Sequence, residues 1–153
     1  NSISIGLQKI RPFNIDDYVG DMRITCTFPY STSAVTTYLV KSEKKDSVTL
    51  VLKHPFDDVR DITVRFHNNP LDPFDQDIDV PEQIAFTDNT FGPVSMSSVE
   101  GMPSYYLPED RAFVLFMEAF LAGMGSFGTY YYVFEWISPD QALAEKNDLD
   151  TLY

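Results

Sequence analysis

Residues 108–137 read PEDRAFVLFMEAFLAGMGSFGTYYYVFEWI, and the fold turns on how this run is built. Pro108 suits the first position of a helix, where a missing N–H costs nothing. Glu109 and Asp110 follow, and negative charge in a first turn complements the positive end of a helix dipole. Phe113, Phe116, Met117 and Phe120 then recur at i, i+3, i+4 and i+7, while Val114, Leu115 and Leu121 fill the rest of the circumference. The spacing predicts a helix apolar nearly all round, and such a helix is buried on most sides. Gly123 is placed to end it as a left-handed cap. Residues 130–137, YYYVFEWI, are then a strand, because aromatic and β-branched side chains fit a pleated surface.

The same run is long enough to cross a bilayer. Glu118 in its middle, three glycines, three tyrosines and flanks without a basic cluster argue against that. Gly123-Met124-Gly125-Ser126-Phe127-Gly128 matches G-x-G-x-x-G. A dinucleotide loop needs strand, glycines, then helix, so that phosphate meets a helix N-terminus. Here the expected order is reversed, and the glycines are read as a turn.

Outward from this run, 153 residues make one domain covering residues 1–153. Hydrophobic residues at 44% and charged ones at 22% are globular values, so the chain can bury a core. With 23 acidic residues against 11 basic, the net charge is −12. That argues against direct binding of nucleic-acid phosphate, which needs a basic patch. It suits a basic protein partner or mimicry of a nucleic acid. Cys26 is the only cysteine, so there is no internal disulfide.

Residues 2–7 alternate as a strand does, and so do residues 21–28, where Met22, Ile24, Cys26 and Phe28 face one way. Cys26 is therefore read as a core residue; a reactive thiol would want an exposed, electropositive setting. Residues 35–41 and 47–53 form a hairpin around residues 43–46, and residues 61–67 alternate again. His54 and His67 each end a strand, and without a third spaced ligand they do not make a zinc site. Residues 83–87 are a short strand, and residues 94–107 a linker rich in Ser, Met and Pro. Ser138-Pro139-Asp140-Gln141 is a capping box opening a short helix to about Lys146.

Residues 68–82, NNPLDPFDQDIDVPE, are the most unusual loop. Asp75-x-Asp77-x-Asp79 opens like a calcium loop, but Val80 stands where that loop needs glycine and Phe86 where it needs a bidentate glutamate. Three readings stay open: a solvated, Pro-stiffened excursion, a looser calcium site made of several carboxylates, and a partner-binding arm, since Leu71, Phe74, Ile78 and Val80 interleave with Asp72, Asp75, Asp77 and Asp79. Long loops in small domains are often functional. The tail, residues 147–153, is acidic with apolar Leu149, Leu152 and Tyr153, and either frays or docks on another chain.

The expected fold is α+β: antiparallel or mixed sheets of short strands packed on one long buried helix, with a short C-terminal helix. The expected function is a non-catalytic structural or interaction subunit of a larger assembly, such as a virion component. Its contact residues would be Asp72, Phe74, Asp75, Asp77, Asp79, Leu149, Leu152 and Tyr153, and its partner another protein or a second copy of itself. No catalytic residue, metal or cofactor is called for, and no small-molecule ligand is specified. Two alternatives remain open: an acidic inhibitor that occupies a basic groove, and a small enzyme using paired carboxylates. The pairs for the latter are Asp16 with Asp17, Asp57 with Asp58, and Glu118 with Glu135.

Overall fold

The computed structural model describes residues 12–27, 35–72 and 74–151. It is an antiparallel barrel, and it overturns the α+β reading. The strands are β1 (Gly20–Thr27), β2 (Val35–Lys44), β3 (Thr49–Lys53), β4 (Ile62–Phe66), β5 (Asp77–Asp79), β6 (Gln83–Asp88), β7 (Gly92–Ser98), β8 (Ser104–Leu107), β9 (Ala112–Leu121) and β10 (Gly125–Ile137). One helix, α1 (Pro139–Thr151), follows. The order β10-β1-β2-β3-β4-β5-β8-β9 closes on itself through the β9–β10 pairing, giving an eight-stranded ring. The β6–β7 hairpin lies outside that ring. β9 divides one edge between two neighbours: β8 pairs with its first half, from Ala112 to Val114, and β7 with its second, from Met117 to Phe120.

The long buried helix is β9. Its signals have other uses in the structure. Pro108–Asp110 form a single 3-10 turn, and Arg111 breaks it in the left-handed region at φ 49°. From Ala112 onward the chain is extended. Phe113, Leu115, Met117 and Ala119 point into the barrel and are fully buried, and Ala112 and Val114 on the other face are nearly so. A strand buried on both faces has no polar side, so its pattern fits a helix equally well. Gly123, at φ 76°, belongs to the two-strand turn, where Met124 N–H donates to the Leu121 carbonyl. The residues read as a linker, 94–107, contain most of β7 and all of β8. The residues read as one long loop, 68–82, contain β5.

The other strands lie where their alternation put them. Met22 and Ile24, Leu50 and Leu52, and Ile62, Val64 and Phe66 all turn inward and are fully buried. Each such side chain contributes about 1.5–3 kcal/mol on burial. Cys26 is partly buried and packs on the edge of this core. A 3-10 turn at Ile15–Tyr18 covers one end of the barrel, with the Tyr18 ring 5.1 Å from that of Phe66 and 5.9 Å from that of Phe113. The β6–β7 hairpin joins the ring through the β7–β9 ladder, and a side chain of β6 ties it to β4 as well. Gln83 accepts from Thr63 N–H and donates to the Thr63 carbonyl, both at 2.9 Å, as a neighbouring strand would. α1 is capped as expected, Gln141 N–H donating to Ser138 Oγ at 3.1 Å, and it lies against β1 through Ala142 and the Arg23–Glu145 ion pair. Among the described residues no helix is long and apolar enough to cross a membrane. The strand expected at residues 2–7 lies outside the described residues.

Candidate functional site

The pairing of β4 with β5 brings His67 to the acidic loop. His67 follows the last residue of β4, and its N–H donates to the Asp77 carbonyl at 2.9 Å. That places the imidazole among Asp75, Asp77 and Asp79. Nδ1 lies 3.2 Å from an oxygen of Asp75, and Nε2 lies 2.8 Å from one of Asp79. An ionised carboxylate only accepts, so satisfying both contacts requires a hydrogen on each ring nitrogen, which is the imidazolium form. The hydrogen bond to Asp79, helped by that to Asp75, keeps His67 protonated to higher pH than a free histidine, against the opposing effect of partial burial.

The backbone beneath is held from inside the barrel. The Tyr106 hydroxyl, on β8, lies within hydrogen-bond range of two carbonyl oxygens, those of His67 at 2.5 Å and Asp75 at 3.4 Å. Its ring is buried against Phe66 and Phe13. The loop beyond His67 is a pair of side-chain-closed turns. Asn69 Oδ1 accepts from Leu71 N–H at 3.0 Å, and Asp72 Oδ1 accepts from Phe74 N–H at 3.1 Å. The Asn69 and Asp72 carbonyls accept from the N–H groups of Asp72 and Asp75. Asn and Asp favour such turns because their short side chains reach the backbone two residues on. The apolar side chains on these turns stand in solvent: Leu71 is 93% and Phe74 72% exposed.

The predicted contact residues separate into three groups. Asp72 and Phe74 lie on the exposed turns, while Asp75, Asp77 and Asp79 gather around His67 at their base. Ile78 and Val80, read as part of the same arm, face the core instead. Leu149 lies in the last turn of α1, and Leu152 and Tyr153 lie outside the described residues. His67 itself is missing from the sequence-based set. Its signal was its position at the end of an alternating strand next to the acidic loop, but only the β4–β5 pairing shows which side of the loop it meets.

His67, Asp75 and Asp77 each offer one ligand atom, all within 4.8 Å of one another. A cation there would have to displace the hydrogen that Nδ1 places on Asp75, so metal and proton compete for the same nitrogen. His54 takes no part: it sits at the far end of the β3–β4 hairpin, paired with Asp61.

Glu118 and Glu135 are not brought together. Glu118 stands opposite Thr129 and Glu135 opposite Ala112. That is six positions along the β9–β10 ladder, about 20 Å at the usual strand rise. Burial pushes the Cys26 thiol up, the opposite of what a nucleophile needs, and the Tyr132 hydroxyl bonded to it is pushed up too. The glycine-rich stretch is the β9–β10 turn and the start of β10, and Phe127 of β10 meets Phe91 of the β6–β7 turn at 5.7 Å between ring centres.

Comparison of the chain with protein-family models, with curated proteins and with solved structures finds no match.

Proposed function

We propose that this chain is a non-catalytic interaction subunit, and that it grips a basic protein surface through residues 68–77. The observation that carries this reading is the exposure of Leu71 and Phe74 on turns closed by hydrogen bonds. A large apolar side chain in water gains free energy when a partner covers it. Hydrogen-bonded turns lose less conformational entropy on binding than an open chain does. Asp72 lies between the two apolar residues in the chain and Asp75 and Asp77 follow, so the complementary surface is an apolar pocket with basic groups beside it. Two copies of so acidic a loop repel each other, which favours a different protein over self-association through this surface.

The apolar residues 112–121 do not call for a subunit contact. The barrel interior and its outer packing account for them. The reading rests on the loop alone.

The test is co-capture from the source cells with the wild-type chain, with a Leu71→Ser/Phe74→Ser variant and with a Val59→Ser variant. Val59 is 73% exposed on the loop between β3 and β4 and serves as a control. A partner retained by wild type and V59S, lost from the double variant and weakened by salt supports the reading. Equal retention by all three chains rejects it.

A further inference from the structure

We propose that His67, Asp75 and Asp77 bind a divalent first-row transition cation of the Zn²⁺ class, with His67 Nδ1 and one oxygen of each aspartate as ligands and Asp79 as the carboxylate that orients the ring. The set is a product of strand register. Phe66 stands opposite Ile78, and the next residue, His67, donates its N–H to the Asp77 carbonyl, so His67 and Asp77 face each other across β4 and β5. Side chains alternate along a strand, so Asp77 and Asp79 share the outer side of β5 while Ile78 between them is buried. Asp75 reaches the same ring from the chain that leads into β5. The Asp-x-Asp-x-Asp spacing is thus a row of carboxylates with an imidazole set against it. The Tyr106 hydroxyl, meeting the His67 and Asp75 carbonyls, fixes the backbone of two of the three ligands.

The two ring nitrogens are not equivalent. Nε2 makes one short contact, 2.8 Å, to Asp79. Nδ1 lies 3.2 Å from one oxygen of Asp75 and 3.4 Å from the other. A charge-assisted hydrogen bond is shorter, about 2.7–2.9 Å. Two ligands of one Zn²⁺, each about 2.0–2.1 Å from the metal, lie about 3.3–3.4 Å apart at the tetrahedral angle. Nδ1 and Asp75 already stand at nearly that separation, and Asp77 completes a set of ligand atoms within 4.8 Å of one another. A metal-bound histidine keeps its other N–H on a carboxylate, which fixes the tautomer and the ring plane. The Nε2 contact to Asp79 is that arrangement. The donors choose the cation: Ca²⁺ takes oxygen ligands, whereas one imidazole with carboxylates suits Zn²⁺ and its neighbours. Asp77 and Asp79 also line a cleft of about 220 Å³ with Ser98, Gly101, Met102 and Ser104, which leaves space for water beside the metal.

The cation site does not rest on the contact role proposed above: it is measured on the isolated chain, and a failed co-capture leaves it standing. The experiment is a Zn²⁺ titration of the chelator-stripped wild-type protein at about pH 7.5. Imidazole nitrogen shifts report which ring nitrogen is bound, and competition with a chromophoric chelator reports affinity. The site predicts saturation at one ion per chain, with Nδ1 of His67 as the nitrogen that shifts. His67→Gln and Asp77→Asn each weaken Zn²⁺ at least tenfold, while the amide spectra of β4 and β9 match wild type. Asp77→Asn changes only an exposed side chain, so it carries the test should H67Q fail to fold. Asp79→Asn leaves all three ligands in place and still weakens Zn²⁺ about tenfold, because the ring loses its orienting carboxylate. His54→Gln, on the far hairpin, leaves the affinity unchanged. Absence of saturable binding, a shift at Nε2 instead of Nδ1, or equal affinity in wild type and H67Q overturns the site. So does Ca²⁺ bound as tightly as Zn²⁺ and unaffected by H67Q, since that cation would be held by carboxylates alone.

Discussion

The Arg111 guanidinium lies over the face of Trp136, 3.6 Å from the ring centre. The pair locks one end of the barrel. Arg111 Nε donates to the Asp17 carbonyl at 3.0 Å, and Trp136 Nε1 donates to the Val19 carbonyl at 2.9 Å. Both bonds reach the segment that leads from the 3-10 turn into β1, so a contact between the start of β9 and the end of β10 holds the plug at Ile15–Tyr18 in place. Gly20 completes the corner. Its φ is +127°, and a Cβ there would lie 3.2 Å from Trp136 Nε1.

Gly20→Ala is expected to destabilise the protein by about 2 kcal/mol, from the strained φ together with the displaced indole. Arg111→Ala is expected to cost a similar amount, about 2 kcal/mol, through the lost cation–π contact and backbone hydrogen bond. Urea unfolding of each variant measures this. Losses below about 0.5 kcal/mol in both would mean that the plug is held by packing alone.

Alternation along β9 is testable by side-chain truncation. Leu115 is fully buried inside the barrel, whereas Phe120 faces outward and is half-buried. Leu115→Ala should cost about 2–5 kcal/mol and Phe120→Ala nearer 1 kcal/mol. A helix at these residues reverses the ranking, because Phe120 belongs to the main apolar stripe of that helix and Leu115 does not. Equilibrium unfolding of the two variants decides between them.

These two residues also mark where the sequence ceased to be legible. Met22 and Ile24, or Ile62, Val64 and Phe66, alternate with residues that stay partly or fully exposed, and one buried face is enough to read a strand. β9 has no such contrast. Its strand signal, Phe113-Leu115-Met117-Ala119, coexists with a helical one, and the Pro108-Glu109-Asp110 start tipped the reading although it makes only a single turn. The better arbiter was the flanking glycine turn with a long aromatic strand beyond it, the pattern of a hairpin. β5 and β8 were unreadable for another reason: at three and four residues they are too short to show a period. The candidate site was half legible. Its acids and its exposed Phe74 stand out in the chain, but His67 joins them only through strand pairing. The inward turn of Ile78 and Val80 depends on the same pairing.

Tyr106→Phe separates the two roles of that residue. The ring packing against Phe66 is kept, and the hydroxyl contacts to the His67 and Asp75 carbonyls are lost. The expected cost is about 1 kcal/mol of global stability, with faster amide exchange confined to the loop after β4. Loss of protection throughout β8 instead would show that the hydroxyl supports the barrel rather than the loop.

On the acid side the stability limb should belong to aspartates that accept backbone or lysine hydrogen bonds. Asp57 is held below its ordinary value of 3.8 first by Val59 N–H, Asp61 by Lys53, and Asp46 by Val48 N–H. A lowered carboxylate contributes fully above its unfolded value and loses that contribution as pH falls through the folded one. Melting temperature should therefore decline below about pH 3.8, and in Asp57→Asn, which keeps an acceptor oxygen without the charge, the decline should be shallower. Superimposable wild-type and D57N curves between pH 2 and 5 would remove Asp57 from this limb.

The central claim, that the loop between β4 and β5 is the surface this protein uses, is tested most directly by site-specific photocrosslinking in the source cells. A benzophenone side chain is placed at Phe74 in one variant and at Val59 in another, two positions of nearly equal exposure on different loops. The account predicts a discrete crosslinked protein from position 74, reduced in high salt, and none from position 59. A crosslink from position 59 without one from position 74 would contradict it, and so would no adduct from either.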